Sequence, residues 1–133
     1  MPRRPVEGGR ISGAYGESRA GDRRHNGVDF AVPPGTVVRA ARAGIVVVAG
    51  WQNPQDPAEG FGLRVWVDHG DGIFSCYAHL SEIHATAGQA LAEGDLVGLS
   101  GNTGHTTGPH LHYEERTGAW GQEGTPRDPG FAE

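Results

Sequence analysis

Histidine pairs and one aspartate at short spacings are the residues of this sequence whose types could do chemistry. His110 and His112 lie in the segment His-Leu-His-Tyr-Glu-Glu, which is predicted to be a strand. Successive side chains of a strand point to opposite faces, so both imidazoles face the same way, roughly 6.5–7 Å apart. One can bind a metal ion while the other reaches a group bound to that ion. By itself, the pair could also arise by chance in a chain with 7 histidines.

A second cluster offers the donors that would complete a metal site. Residues 25–29 read His-Asn-Gly-Val-Asp and supply an imidazole nitrogen and a carboxylate oxygen, which bind Zn²⁺ at about 2.0–2.2 Å. Two histidines and one carboxylate form a common catalytic set that leaves the fourth position for water. Closed structural sites usually use cysteine, and this chain has one. Alone, His25 could be an exposed loop residue and Asp29 a turn or capping residue; together with the His-x-His strand they favour a metal site.

The elements that must position these residues are predicted to be short strands joined by tight turns. The chain has 133 residues with 23 glycines and 9 prolines, which argues against a helical bundle. No long amphipathic helical pattern occurs, so the expected fold class is all-β. Val46, Val47 and Val48 are apolar on both faces, which predicts a central strand. Strands are predicted at 36–41, 45–51, 63–69, 73–79, 96–100 and 110–115, with a hairpin turn at 70–72 and loops at 52–60 and 101–109.

The chain length suits one domain, predicted over residues 10–133 and preceded by a flexible N-terminal arm over residues 1–9. No stretch is apolar enough to cross a membrane, so no membrane insertion is expected. The first residues carry charge without an apolar region, so they do not form a Sec signal peptide. We therefore expect another export route or a leader outside this sequence.

Charge and composition exclude two function classes. The net charge of −5 lacks the basic footprint of a nucleic-acid binder. Turn-and-strand units at 34–38 and 93–97 also occur in lipoyl and biotinyl carrier domains, which attach their cofactor to lysine. All 11 basic residues are arginine, so the carrier interpretation fails. The single cysteine, Cys76, lies in an apolar run and is expected to be a buried hydrophobe.

Several longer motifs give the chain a specific resemblance. From about residue 11 to residue 115 it resembles the lysostaphin/LytM-type zinc metallopeptidases, also called glycyl-glycine endopeptidase-like or β-lytic peptidases. That family fold is an antiparallel β structure with a substrate groove along one large sheet, the duplicated hybrid motif. The matching segments are His-Asn-Gly-Val-Asp at 25–29, Val-Asp-His-Gly-Asp-Gly at 67–72, Tyr-Ala-His-Leu at 77–80, Leu-Ser-Gly-Asn-Thr-Gly at 99–104 and Thr-Gly-Pro-His-Leu-His-Tyr-Glu at 107–114.

The resemblance implies a role for each site residue. One Zn²⁺ per chain would be bound by His25, Asp29 and His112, while His79 and His110 would assist catalysis as the outer pair. Which of the outer two is the general base stays open at this stage. The implied reaction is attack of a metal-activated water on a peptide bond of bacterial peptidoglycan.

Other residues match the family less directly. His69, His84 and His105 correspond to no metal or catalytic position and are expected to be structural or solvated. Some members carry a Tyr or Arg that faces the scissile bond before the first histidine motif, and Arg19 is the nearest candidate here. The segment 16–24 is shorter than in many relatives. The groove loops differ most among family members, so substrate choice does not follow from the match.

The resemblance further implies a monomer that acts at the bacterial cell wall, whether secreted, periplasmic or phage-delivered. Two alternatives are open. A catalytically silent zinc-binding module would bind cell-wall peptide or a partner hydrolase without cleaving it, and a zinc peptidase or amidase could act on another peptide. Because all five key positions are intact, the silent module is the weaker alternative.

Overall fold

A computed structural model describes residues 2–19, 21 and 23–131 of the chain. Within this part the regular structure consists of strands, with no α-helix, so the all-β prediction is confirmed. None of these residues forms a helix long and apolar enough to span a membrane. The strands are β1 (Arg10–Gly13), β2 (Val28–Ala31), β3 (Val37–Arg39), β4 (Gly44–Trp51), β5 (Leu63–Asp68), β6 (Ile73–Ile83), β7 (Ala90–Leu91), β8 (Leu96–Ser100), β9 (Leu111–Thr117) and β10 (Thr125–Arg127).

The strands pair antiparallel and form one large sheet in the order β1-β2-β9-β6-β5-β4-β7. The short strand β10 pairs with β9, and β8 joins β3 to the end of β6. The predicted hairpin turn at 70–72 connects β5 to β6, with Asp68 opposite Phe74. Gly70 and Gly72 have φ of 83° and 82° there, a left-handed conformation that favours glycine.

Successive side chains of strand β9 face the core and the site in turn. Leu111 and Tyr113 are fully buried members of the hydrophobic core, together with Phe30 from β2 and Val65 from β5. The side chains that alternate with Leu111 and Tyr113 along β9 must face the other side of the sheet. There His112, Glu114 and Arg116 line one cavity.

The central position predicted for the strand at 45–51 and the start predicted for the strand at 110–115 both differ from the structure. Strand β4 pairs with β5 along most of its length, but β7 meets it only at Gly44 and Ile45, so it is largely an edge strand. A register shift between Val46 and Val48 bends it, which leaves Val46 buried and its two valine neighbours half-buried. His110 precedes β9 and makes a single antiparallel bridge with Gly101.

The segment 2–9 packs against the domain. Val6 is 3% exposed and belongs to the core. The N–H of Arg39 donates to the carbonyl of Pro5 at 2.8 Å, and the Arg4 guanidinium lies 5.0 Å from the centre of the Phe30 ring. These contacts fit poorly with the expected flexible arm, although the boundary at residue 10 stays a prediction. Position 1 of that arm, and positions 20, 22, 132 and 133 of the predicted domain, lie outside the described residues.

Candidate metal centre

The two neighbouring strands β2 and β9 bring the three predicted ligands together. Asp29 lies directly opposite His112 in the ladder, and the Asp29 Oδ1 is 2.7 Å from the His112 Nδ1. His25, just before β2, places its Nε2 3.2 Å from the Asp29 Oδ2. One donor atom from each of the three residues lies within 4.8 Å of the others, so this group could hold a metal ion.

Glycine at position 27 allows the segment before β2 to approach β9 closely. A Cβ there would collide with the carbonyl oxygen of Tyr113 and would lie 2.9 Å from the Cε1 of His112. Real Cβ atoms do not come this near, so a side chain at this position would force this segment and β9 to shift apart. The glycine in the His-x-Gly-x-Asp motif is therefore a packing requirement of the site.

Hydrogen bonds on the far side of each imidazole select the nitrogen that faces Asp29. The Nδ1 of His25 lies 3.0 Å from the carbonyl oxygen of Ala14, which can only accept, so a neutral His25 keeps its lone pair on Nε2. The Nε2 of His112 lies 2.7 Å from the Oε2 of Glu114, which makes Nδ1 the nitrogen directed at Asp29. A nitrogen lone pair, a second imidazole and a carboxylate are donors that suit Zn²⁺, so the residues fit the ion.

Without a metal, the charges of the cluster stabilise one another. Burial alone would lower the pKa of His112, but hydrogen bonds to Asp29 and Glu114 outweigh it and raise the pKa to about 9. Burial would raise the pKa of Asp29, but hydrogen bonds from His112 and His25 hold it well below its ordinary value. Without a metal ion, protonated His112 can therefore donate from Nδ1 to Asp29 and from Nε2 to Glu114.

The two histidines predicted to assist catalysis lie beside this cluster. The rings of His79 and His110 are 4.9 Å apart, and the Nε2 of His110 is 3.6 Å from the Asp29 Oδ1. The Nδ1 of His79 lies 2.6 Å from the carbonyl oxygen of Thr103, and that of His110 lies 2.8 Å from the carbonyl oxygen of Gly108. Because a carbonyl only accepts, each ring donates from Nδ1, and in the neutral form of either ring Nε2 is the proton acceptor.

An unusual backbone conformation lets His79 join the site. On β6, Ala78 lies opposite His112, so strict alternation would turn the next side chain toward the core. His79 has a φ of 64°, the left-handed value for which glycine is favoured, and it is the one such non-glycine residue among those described. Its ring lies 6.0 Å from the His112 ring and lines the same cavity. Burial lowers the pKa of His79 to about 4, against the opposing hydrogen bond to Thr103, so the ring is neutral at neutral pH.

The structure adds an aromatic contact that the sequence analysis missed. Phe61, at the end of the loop between β4 and β5, stacks on His112 with ring centres 5.4 Å apart. Its ring also meets His79 edge-on, and its carbonyl accepts the His79 N–H at 2.8 Å. No sequence signal distinguishes this phenylalanine from an ordinary loop residue. Arg19 lies at the cavity wall, with its Nη2 3.7 Å from the Asp29 Oδ2.

The remaining histidines and the cysteine have different surroundings. His69 lies between the carbonyl oxygen of Ala43 and the hydroxyl of Ser75, at 2.7 and 2.8 Å. His84 is exposed beside Glu82, whereas exposed His105 lines the cavity. Cys76 is fully buried, and burial raises its pKa well above the ordinary value.

Comparison with known proteins places these motifs in a family. The model of peptidase family M23 matches residues 23–129. The peptidoglycan DD-endopeptidase ShyA of Vibrio cholerae is 46% identical over 90 residues, which cover 68% of this chain and 20% of that protein. Lysostaphin of Staphylococcus simulans is 36% identical over 106 residues, covering 79% of this chain and 20% of that protein.

The chain thus spans about a fifth of the length of these curated relatives. Among solved structures, a mutant catalytic domain of the prophage-encoded M23 protein EnpA from Enterococcus faecalis matches with a TM-score of 0.78 at 32% identity. That match covers 92% of this chain and 90% of the solved one. On the family match, the sequence identities and the shared fold, the chain belongs to peptidase family M23.

Proposed function

We propose that this chain is a zinc-dependent endopeptidase that hydrolyses peptide bonds of bacterial peptidoglycan. The observation that carries the proposal is the convergence of His25, Asp29 and His112 on one point, with His79 and His110 beside it in the same cavity. The names of the relatives give the substrate class, since ShyA is described as a peptidoglycan DD-endopeptidase.

We propose His25, Asp29 and His112 as the ligands of one zinc ion. Their donor atoms would be the Nε2 of His25, a carboxylate oxygen of Asp29 and the Nδ1 of His112, and the proposal is supported by donor atoms of the three residues that lie within 4.8 Å of one another. When bound, zinc supplies a Lewis acid that polarises the scissile carbonyl and makes a water acidic enough to react near neutral pH.

The chain's own contribution to proton transfer comes from His79 and His110. Each ring is held by an Nδ1–H bond to a backbone carbonyl, which keeps its Nε2 as the atom that can take a proton. One ring would take a proton from the attacking water and then donate that proton to the departing amine as its C–N bond breaks. The other ring, when protonated, stabilises negative charge on the carbonyl oxygen.

Arg19 is proposed to support the same region of the cavity from the side of β1. Its guanidinium pairs with Glu17 at 2.8 Å and lies 3.7 Å from the Asp29 carboxylate. A fixed positive charge at this wall favours binding of a substrate carbonyl or carboxylate. Replacement by Gln is expected to weaken substrate binding more than zinc binding.

The biological setting follows from the same proposal. A peptidoglycan hydrolase acts at the bacterial cell wall, whether it is secreted, periplasmic or delivered by phage. We propose that the domain works as a monomer on the peptide part of the wall, with no nucleic acid as partner.

The test is digestion of purified peptidoglycans that differ in their crosslinks. Zinc-loaded protein is incubated with each, and the new amino termini are identified by labelling and mass spectrometry. The proposal expects new termini that disappear with chelator and with the His110→Ala variant. Binding to peptidoglycan without new termini would favour the silent module, and cleavage of other peptides alone would favour a peptidase with a different substrate.

A further inference from the structure

Glu114 is a buried carboxylate that the proposed reaction does not use. It is 2% exposed, lies on the site face of β9 and places its Oε2 2.7 Å from the Nε2 of His112. Its other oxygen, Oε1, accepts from Arg116 at 3.0 Å from Nε and 2.7 Å from Nη2. All of its strong contacts are therefore to groups that donate.

The partner of Glu114 on the outer side is itself held in place. Arg116 donates from Nη1 to the carbonyl of Glu123 at 3.0 Å, and its guanidinium lies 5.9 Å from the centre of the Trp66 ring. The alternation of β9 puts Arg116, Glu114 and His112 in one row on the same face. A rigid arginine thus fixes the carboxylate, and the carboxylate fixes the imidazole.

We propose that Glu114 is a positioning residue for the metal centre, and that Arg116 holds it in its working orientation. Because a carboxylate only accepts, Glu114 keeps the proton of His112 on Nε2 and leaves the Nδ1 lone pair for a metal ion. It also holds the ring so that this lone pair points at the position shared with Asp29. The inference rests on the proposed function, since it assigns a partner to a proposed zinc ligand.

Loss of such a partner carboxylate typically lowers metal affinity about 10–100-fold. The variant Glu114→Gln is expected to weaken zinc binding by changing the tautomer of His112. Arg116 can only donate, so it attracts the amide oxygen of the glutamine and turns the NH₂ group toward His112. An NH₂ at that position favours the wrong tautomer, with the proton on Nδ1.

Strand β9 offers a matched control. Glu115 is the next residue, is fully buried and is also held by arginine, with its Oε2 2.9 Å from the Nε of Arg42. It faces the core, where it accepts from the hydroxyl of Tyr113. Glu115→Gln therefore removes an equally buried charge from the same strand without touching His112.

The experiment measures zinc affinity by competition with a chromophoric chelator, for wild type, Glu114→Gln and Glu115→Gln, at a temperature where circular dichroism shows each variant folded. We expect Glu114→Gln to bind zinc about 10–100-fold more weakly, and Glu115→Gln to bind like wild type. Equal losses in both variants, or none in Glu114→Gln, would overturn the assignment. A wild-type protein that binds no zinc would instead refute the proposed function, and this inference with it.

A double variant tests the orientation argument by comparison with Glu114→Gln, both measured under conditions where circular dichroism shows them folded. In the double variant with Glu114→Gln and Arg116→Met, nothing draws the amide oxygen away from His112, so it can turn to accept the Nε2–H. Zinc affinity should then recover part of the loss, which a merely structural role for Glu114 does not predict. A double variant that binds zinc no better than Glu114→Gln would contradict the proposed role.

Discussion

Raising the pH should lower the unfolding free energy of the metal-free protein, because His112 then loses a proton that its neighbours stabilise. Its pKa is 6.5 in ordinary surroundings and about 9 in the fold, since its bonds to Asp29 and Glu114 outweigh the effect of burial. A folded-state pKa above the unfolded value means that the stabilisation is complete below pH 6.5 and is lost as the pH rises through 9. The shift corresponds to about 3 kcal/mol of unfolding free energy.

Zinc should show the opposite dependence. The metal needs the deprotonated Nδ1 of His112, so its binding releases a proton and strengthens as the pH rises. The stabilisation that zinc adds should therefore grow between pH 6.5 and 9, while the metal-free protein loses stability. In a domain of this size, 3 kcal/mol corresponds to a shift in melting temperature of about 10 °C.

The assay is urea unfolding of chelator-treated protein at pH 6 and pH 9. His112→Ala removes the titrating ring and should abolish most of the difference between the two pH values. His84→Ala removes a histidine that is 43% exposed and should leave that difference unchanged. If the metal-free wild type is equally stable at both pH values, the interpretation of the Asp29–His112–Glu114 cluster is wrong.

The remaining predictions concern single side chains of the site. His79→Ala and His110→Ala should keep zinc, measured by metal analysis, but lose about 10²–10⁴-fold in peptidoglycan cleavage; full turnover in either variant would remove that residue from the mechanism. Asp29→Ala and His112→Ala should lose both zinc and cleavage but stay folded, with melting temperatures that do not respond to chelator, because the valine- and leucine-rich core does not depend on the ion. At position 79, where φ is 64°, the free energy of unfolding of His79→Val should be about 1–2 kcal/mol lower than that of His79→Asn, because β-branched residues resist this conformation. Equal urea midpoints for the two variants would show that the conformation is not strained.

Much of the site could be predicted because its residues follow local rules. The period of a β-strand was enough to predict that His110 and His112 face the same way. It was also enough to predict a strand at 110–115, which the structure has at Leu111–Thr117. That Asp29 lies opposite His112 is a matter of register between distant strands. The resemblance to a known family implied only that both residues bind one zinc ion, and strand periodicity alone gives no register.

Other parts of the site depend on contacts that no local pattern encodes. His79 reaches the cavity through a left-handed backbone at a register shift of β6, which strand alternation predicts against. Phe61 reaches His112 from the far end of a polar loop. The edge position of β4 depends on how little of β7 meets it, which the apolar run at 46–48 does not reveal.

The most direct test of the central claim is a zinc titration of peptidoglycan cleavage. Chelator-treated protein at known concentration receives increasing zinc, and the rate at which new amino termini appear on purified peptidoglycan is measured at each step. A single site formed by His25, Asp29 and His112 predicts that the rate rises from near zero and stops rising at one zinc per chain. Cleavage that is complete without zinc, or no cleavage at any zinc concentration, would contradict the account.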